Sequence, residues 1–220
     1  MKYYVLIVLF ILLAVTGCKK EVKEVIEVDE VELEEVEEKK VEIVKNQKLT
    51  NEQQILSAVK AAPMVMRDLA TVYGYDEQGE FVLLRQGSNS MICVADDPNR
   101  DGFEVVAYHK SLDPFMARGR ELTKEGKNRE EKEKIREEEA ITNVLQMPEV
   151  PAALHIYFGK NGYYDIDDNE VRNCRYRYVV YTPFATAETT GLGLQPNKEG
   201  HPWLMFPGKY NAHIMISPQD

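Results

Sequence analysis

The sequence lacks a surplus of cations, a run of apolar residues long enough to cross a bilayer, and the local signatures of the commoner enzymes. It has 27 Lys+Arg against 37 Asp+Glu, a formal net charge of -10, which argues against a nucleic-acid-binding module with its basic face. Its one long apolar run, Tyr3 to Val15, has 13 residues. A spanning helix needs roughly 20, so a polytopic membrane protein is excluded. No Gly-x-Ser-x-Gly elbow, His-Glu-x-x-His helix or Walker loop occurs. What is present is a 44% share of hydrophobic residues in 220, enough to bury one core and too much for a disordered acidic tail or a collagen-like fibre.

Lys2 followed by the Tyr3 to Val15 run has the charge and length of a secretory signal, with Gly17 as the small residue before Cys18. Val15, Thr16, Gly17 and Cys18 resemble the lipobox of bacterial lipoproteins. The resemblance implies cleavage after residue 17, a thioether diacylglycerol on Cys18 and acylation of its new amino group. The partners it implies are the lipoprotein-processing and export machinery, and then the membrane itself. An ordinary secretory signal that happens to end near Cys18 is the alternative. Two or three acyl chains at about 0.8 kcal/mol per buried methylene would hold the mature chain on a membrane surface.

From Lys19 to Lys45 the chain holds 6 Lys and 11 Glu+Asp and no Gly, Pro or aromatic residue. Val22, Val25, Val28 and Val31 recur with a period of three, which matches neither a helix face nor a strand face. The expectation is a charged low-complexity tether over residues 18–48. A helical partner-binding segment is the sharper alternative. Lys19, Lys20 and Glu21 are similar to the tags that send some lipoproteins of the Bacteroidetes group to the outer face of the outer membrane. The resemblance implies a lipid-anchored protein of the cell envelope, at the outer membrane, periplasmic or surface-exposed.

One α+β domain with a mainly antiparallel sheet is expected over residues 49–220. Thr50 and Gln53 have capping-box spacing before a helix from Asn51 to Ala61, ended by Pro63. Ala70 to Tyr75, Phe81 to Gln86 and Met91 to Ala95 read as a β-meander. Leu112 to Gln146 reads as a helical excursion broken near Gly126. With 8 basic and 8 acidic residues between Arg118 and Glu139, it reads as a solvated arm. Further strands are expected at Ala153 to Phe158, Cys174 to Tyr181, Trp203 to Phe206 and Ala212 to Ile216, an order without βαβ repeats.

Several constellations carry possible chemistry. Asp97, Asn99, Asp101 and Gly102 match the first half of a calcium loop, but its twelfth position is Tyr108 and not Glu. An Asp-Pro-Asn turn between strands explains the same residues. Cys93 and Cys174 are expected as buried thiols or a disulfide, with Cys93 as a nucleophile the remaining option. A base for it would come from His109, His155, His201 or His213. The last stretch offers a candidate ligand surface of His201, Trp203, Tyr210 and His213. Against it, the alternation of Ala212, Ile214 and Ile216 opposite His213 and Met215 reads as a strand burying the isoleucines.

The stretch Arg67 to Asn99, with Ala70 to Val72, Leu84 to Gly87, Asn89, Cys93 and Asp96, is similar to an uncharacterised group of secreted bacterial proteins. His201 to Ile216 resembles the end of the same group, and Thr182 to Ala185 matches a segment in it. That group carries a second cysteine soon after the first, where this chain has Ala107 and Tyr108. The resemblance implies a fold and no activity. The function expected is therefore non-catalytic binding of a partner or small ligand by a lipid-anchored envelope protein. No catalytic residue and no cofactor other than the weak calcium candidate are assigned. An envelope hydrolase or transferase with a Cys/His or metal/His site is the first alternative, and a structural lipoprotein the second.

Overall fold

The structure, a computed structural model, describes residues 48–197 and 200–218. The expected signal, Cys18 and the tether up to residue 47 lie outside the described residues. Helix α1 (Asn51–Ala58) starts where the capping box predicts. The Thr50 hydroxyl accepts from the Gln53 N–H at 3.3 Å while the Gln53 side chain accepts from the Thr50 N–H at 2.9 Å. A 3-10 turn at Val59–Ala61 tightens its end before Pro63.

Eight strands then form one sheet. They are β1 (Thr71–Tyr75), β2 (Phe81–Arg85), β3 (Met91–Val94), β4 (Phe103–His109), β5 (Ala152–Gly159), β8 (Arg175–Tyr181), β9 (Trp203–Met205) and β10 (His213–Ile216), in the order β2-β1-β3-β4-β5-β8-β10-β9. The intervening β6 (Tyr163–Asp165) and β7 (Glu170–Arg172) make a separate hairpin. Every pair of named strands is antiparallel except β1 with β3. The α+β class with a mainly antiparallel sheet is therefore what the chain adopts.

The β1–β3 pair corrects the expected meander. After β2 the chain crosses the start of β1 and lands on its far side, running parallel to it. The crossing is tight at Gly87, where an added Cβ would meet the Thr71 nitrogen at 2.2 Å, so only glycine passes. The Leu69 carbonyl accepts from the N–H groups of Ser88 and Asn89 at 2.9 and 3.1 Å, which fixes the crossing. A linear sequence pattern marks the strands but not which side of β1 the third one joins.

The helical excursion forms and breaks where expected, but its reading as a solvated arm is corrected. Helix α2 (Asp113–Lys124) and helix α3 (Arg129–Ile141) break around Gly126, which has φ +75°. They do not stand in solvent. Leu112, Phe115, Leu122, Ala140 and Leu145 are buried, and all but Leu122 share one core with Tyr108, Leu154, Val179 and Met215 on one face of the sheet. Five spaced apolar residues suffice because the ion pairs of Arg118 with Glu121, Glu125 and Glu139 occupy the outer surface. On the opposite face α1 and the β6–β7 hairpin cover Val72, Cys93, Phe103, Val105 and Ala107. No described helix is long and apolar enough to cross a membrane.

In β10 the alternation runs opposite to the expected sense. His213 and Met215 are buried while Ile214 and Ile216 are half-exposed. The reason is the covering layer: α2 and α3 pack on the face that carries Met215, Tyr181 and Val179. A two-residue alternation gives the period and not which phase is covered.

Candidate functional site

A cleft opens at the end of the sheet where the β1–β2 turn, the β3–β4 loop and the β5–β6 turn converge. Its volume is about 730 Å³, and Gln54, Tyr75, Asp96, Arg100, Phe103, Lys160 and Tyr163 are among its lining residues. The β1–β2 turn is shaped by Asp76, whose Oδ1 accepts from the N–H groups of Gln78 and Glu80 at 2.9 Å each. Gln54 braces the turn from α1. Its Oε1 accepts from the Tyr75 N–H at 2.9 Å and its Nε2 donates to the Tyr75 carbonyl at 2.8 Å. This buried amide is saturated by backbone, so it holds a wall and is not a ligand contact.

Asp96 differs. It follows β3, and its Oδ1 accepts from the Glu104 N–H at 2.7 Å, clasping the loop from 97 to 103. Its second carboxylate oxygen has no hydrogen bond among the described residues. Burial pushes the carboxyl up to about 7, against the pull of the Glu104 N–H; the Asp97 and Glu104 carboxylates push the same way and Arg100 offsets them. Arg100 is engaged with Glu104 at 3.1 Å and is largely exposed. Across the cleft, burial raises the Tyr75 phenol to about 12, with Asp97 adding to the rise. A carboxyl that changes charge near neutrality, aimed into a cleft with phenols, can accept or donate a hydrogen bond or hold a cation.

The calcium candidates lie on the rim of this cleft. Asp97 Oδ1 accepts from the Asn99 N–H at 3.0 Å and the Asp97 carbonyl accepts from the Arg100 N–H at 3.0 Å, a capped turn of the Asp-Pro-Asn kind. Phe103 to Tyr108, which would form the second half of a calcium loop, belong to β4. Among the described residues no three His, Cys, Asp or Glu side chains gather as a metal-ligand set.

The four candidates of the last stretch do not form one surface. His201 is exposed, Trp203 is half-buried on β9, and Tyr210 and His213 are buried. The Tyr210 hydroxyl donates to Glu133 Oε2 of α3 at 3.0 Å, and the Asn211 amide donates to the same oxygen at 2.9 Å. Glu133 also pairs with Arg136, whose guanidinium lies 4.4 Å from the Phe115 ring centre. His213 Nδ1 bonds the Asn211 carbonyl at 2.8 Å. Burial lowers its pKa, so the ring is held neutral between Tyr181 and Phe206. This cluster ties α3 to the sheet.

Cys93 and Cys174 are free. The ladder runs Cys93 to Ala107 to His155 to Tyr178. Cys174, just before β8, is therefore three strands across and four residues along, roughly 14 Å by 13 Å at standard spacings. A disulfide spans about 6 Å between Cα atoms, so the bridge is excluded. Burial raises both thiols to about 12. His155, on the same face as Cys93, is separated from it by Ala107 on the intervening strand and packs on Tyr178 with ring centres 5.5 Å apart. His109 bonds Ser111 at 2.8 Å. No histidine hydrogen-bonds either thiol among the described residues.

Tyr75, Asp96 and Tyr163 went unassigned at the level of sequence. Asp96 stands beside Asp97 at the end of a strand, which has the look of a turn. Its distinguishing property is burial, which a local pattern does not show, and Cys174, remote in sequence, is close enough to feel its charge. No family model matches the chain, and neither the curated proteins nor the solved structures include one similar to it.

Proposed function

We propose that this is a lipid-anchored protein of the bacterial cell envelope that binds a small polar ligand, without catalysis, in the cleft beside Asp96. The observation that carries the binding half is the cleft itself. Its walls are braced by saturated groups such as Gln54 and Asp76, while the Asp96 oxygen stays unspent. The anchor half rests on the lipobox-like run ending in Cys18. Its placement at the outer membrane rests on Lys19, Lys20 and Glu21.

The two halves are tested separately. In a bacterial host the wild-type chain should partition into detergent with acyl mass on Cys18, and Cys18→Ser should accumulate as unprocessed precursor. A soluble, unmodified N-terminus from wild type ends the anchor proposal. For the cleft, a melting-temperature screen against sugars, amino acids, short peptides and nucleotides should yield stabilising compounds whose effect disappears in Asn99→Trp. This variant plugs an exposed position on the cleft wall. A screen in which no class raises the melting temperature ends the binding proposal, because a ligand of the native state must raise stability by mass action.

A further inference from the structure

On the sheet face that α2 and α3 cover, we infer that the part they leave open is the seat of the chain's own acidic segment, residues 27–38, which docks across the strands with its carboxylates on Arg175 and Arg177. The strand registers define the place. On that face the row Ile92, Tyr108, Leu154, Val179 and Met215 is buried beneath the helices. Two residues along each strand, the row Leu83, Tyr73, Val94, Val106, Ile156 and Arg177 runs across six strands from β2 to β8. Five of these side chains are half-buried and Leu83 is 47% exposed. The helical layer therefore stops short of a row that is apolar except for its last member.

That last member lacks a counter-charge. The Arg175 and Arg177 guanidiniums lie 5.3 and 4.6 Å from the centre of one ring, Phe158. Among the described residues neither takes part in a hydrogen bond or an ion pair, and the Arg177 Nε is buried with its N–H unspent. Other arginines are engaged: Arg118, Arg120 and Arg136 on the helices each hold a carboxylate, and Arg100 holds Glu104. Two unpaired guanidiniums stacked on the same ring repel each other, and a carboxylate bound through paired N–H groups relieves that repulsion.

Charge, reach and point of entry name the occupant. Residues 27–38 hold eight Asp+Glu, four aliphatic residues and no cation, which complements an apolar row ending in arginines. The described chain begins at Lys48, whose ammonium donates to the Glu77 carbonyl at 2.6 Å in the turn that joins the strands of Tyr73 and Leu83. The nine residues 39–47 reach about 30 Å when extended, more than the ~24 Å across six strands. A segment so tied meets its seat at an effective concentration on the order of millimolar, ahead of a second copy or another acidic protein. With the anchor proposed above, docking would leave residues 18–26 as the free spacer and so set how far the domain stands from its lipid. The docking itself does not rest on that anchor.

The experiment is photocrosslinking on the full chain in detergent, with p-benzoylphenylalanine in place of Leu33 and the joined peptides mapped by mass spectrometry. Crosslinks should fall within one chain on the open row, around Val106 and Ile156. Arg175→Ala combined with Arg177→Ala should lower their yield at least about fivefold, and so should about 1 M salt. Arg129→Ala, exposed on α3, should leave the yield in place. Because the two arginines also pack on Phe158, a second variant leaves the domain untouched: all eight carboxylates of residues 27–38 become amides, and the yield should fall as far. Crosslinks found only between two chains overturn the inference and assign the face to a second copy. Crosslinks elsewhere on the domain, none at all, or a yield indifferent to the amide variant also overturn it. Asn99→Trp should change nothing here, since it plugs the cleft and not this face; loss of the crosslinks in that variant would place the segment in the cleft instead.

Discussion

The two ends of the sheet both set half-buried acidic groups beside tyrosines, and they differ in what those acids face. Near β10, Glu133 receives the Tyr210 hydroxyl, the Asn211 amide and the Arg136 guanidinium. Near β3, Asp96 receives one backbone N–H and sits among other carboxylates. An acid whose partners all come from its own chain works as a clamp. An acid left short of partners at the mouth of a cleft keeps interaction energy for something else, and the price is a pKa moved to near neutrality. The comparison shows why aromatic and histidine density is a poor guide to a site: the dense end is the closed one.

The sharpest way to break the comparison is at the closed end. Met215→Asp would place a charge in the core under α2 and α3 and should destabilise by about 3–5 kcal/mol, measured by urea unfolding. Ile214→Asp, on the half-exposed face of the same strand, should cost well under half of that. Equal effects would mean that the two faces of β10 are not differently covered. Glu133→Ala strands three donors at once and should cost about 2–3 kcal/mol without altering any binding in the cleft.

At the open end the expected effect is a slope and not a loss. Because burial raises the Asp96 carboxyl from its ordinary value of 3.8 to about 7, the folded state binds its proton more tightly than the unfolded state does. Its contribution is fully present below pH 4 and declines as pH rises to about 7. Asp96→Asn should flatten the melting-temperature profile across that window, with no penalty at pH 8. A variant that melts lower at pH 8 by as much as Glu133→Ala would show Asp96 to be a clamp after all. Smallest of all should be the response to millimolar calcium, since Asp97 is already capping its turn; a clear rise in melting temperature would assign the rim a metal.

Legibility in the sequence follows the range of the interactions. The capping box of α1 was readable because Thr50 and Gln53 are three residues apart and act on each other's backbone. The strands β1, β2, β3, β5 and β8 were readable from composition and alternation. Strand β4 was not: Phe103 to His109 follows a run of turn-forming residues, which drew attention to their side-chain oxygens instead. The side of β1 taken by β3, the phase of β10 and the docking of α2 and α3 all depend on elements distant in sequence. The cleft belongs to the same class. Tyr75 ends β1, Asp96 follows β3 and Tyr163 opens β6, and nothing in the local pattern around any of them announces the others.

One feature of the topology bears on how this chain comes to be folded. Strand β10 is last in sequence yet lies inside the sheet, between β8 and β9. The two ladders it completes, His213 to Ile216 against Tyr178 to Tyr181 and His213 to Met215 against Trp203 to Met205, cannot form until it has been made. A nascent chain therefore carries β8 with an open edge and β9 with no neighbour in the main sheet, and it stays incompletely folded up to the last strand. A keystone delivered after its two neighbours is a timing device: neither ladder closes until this last of the described strands has been made.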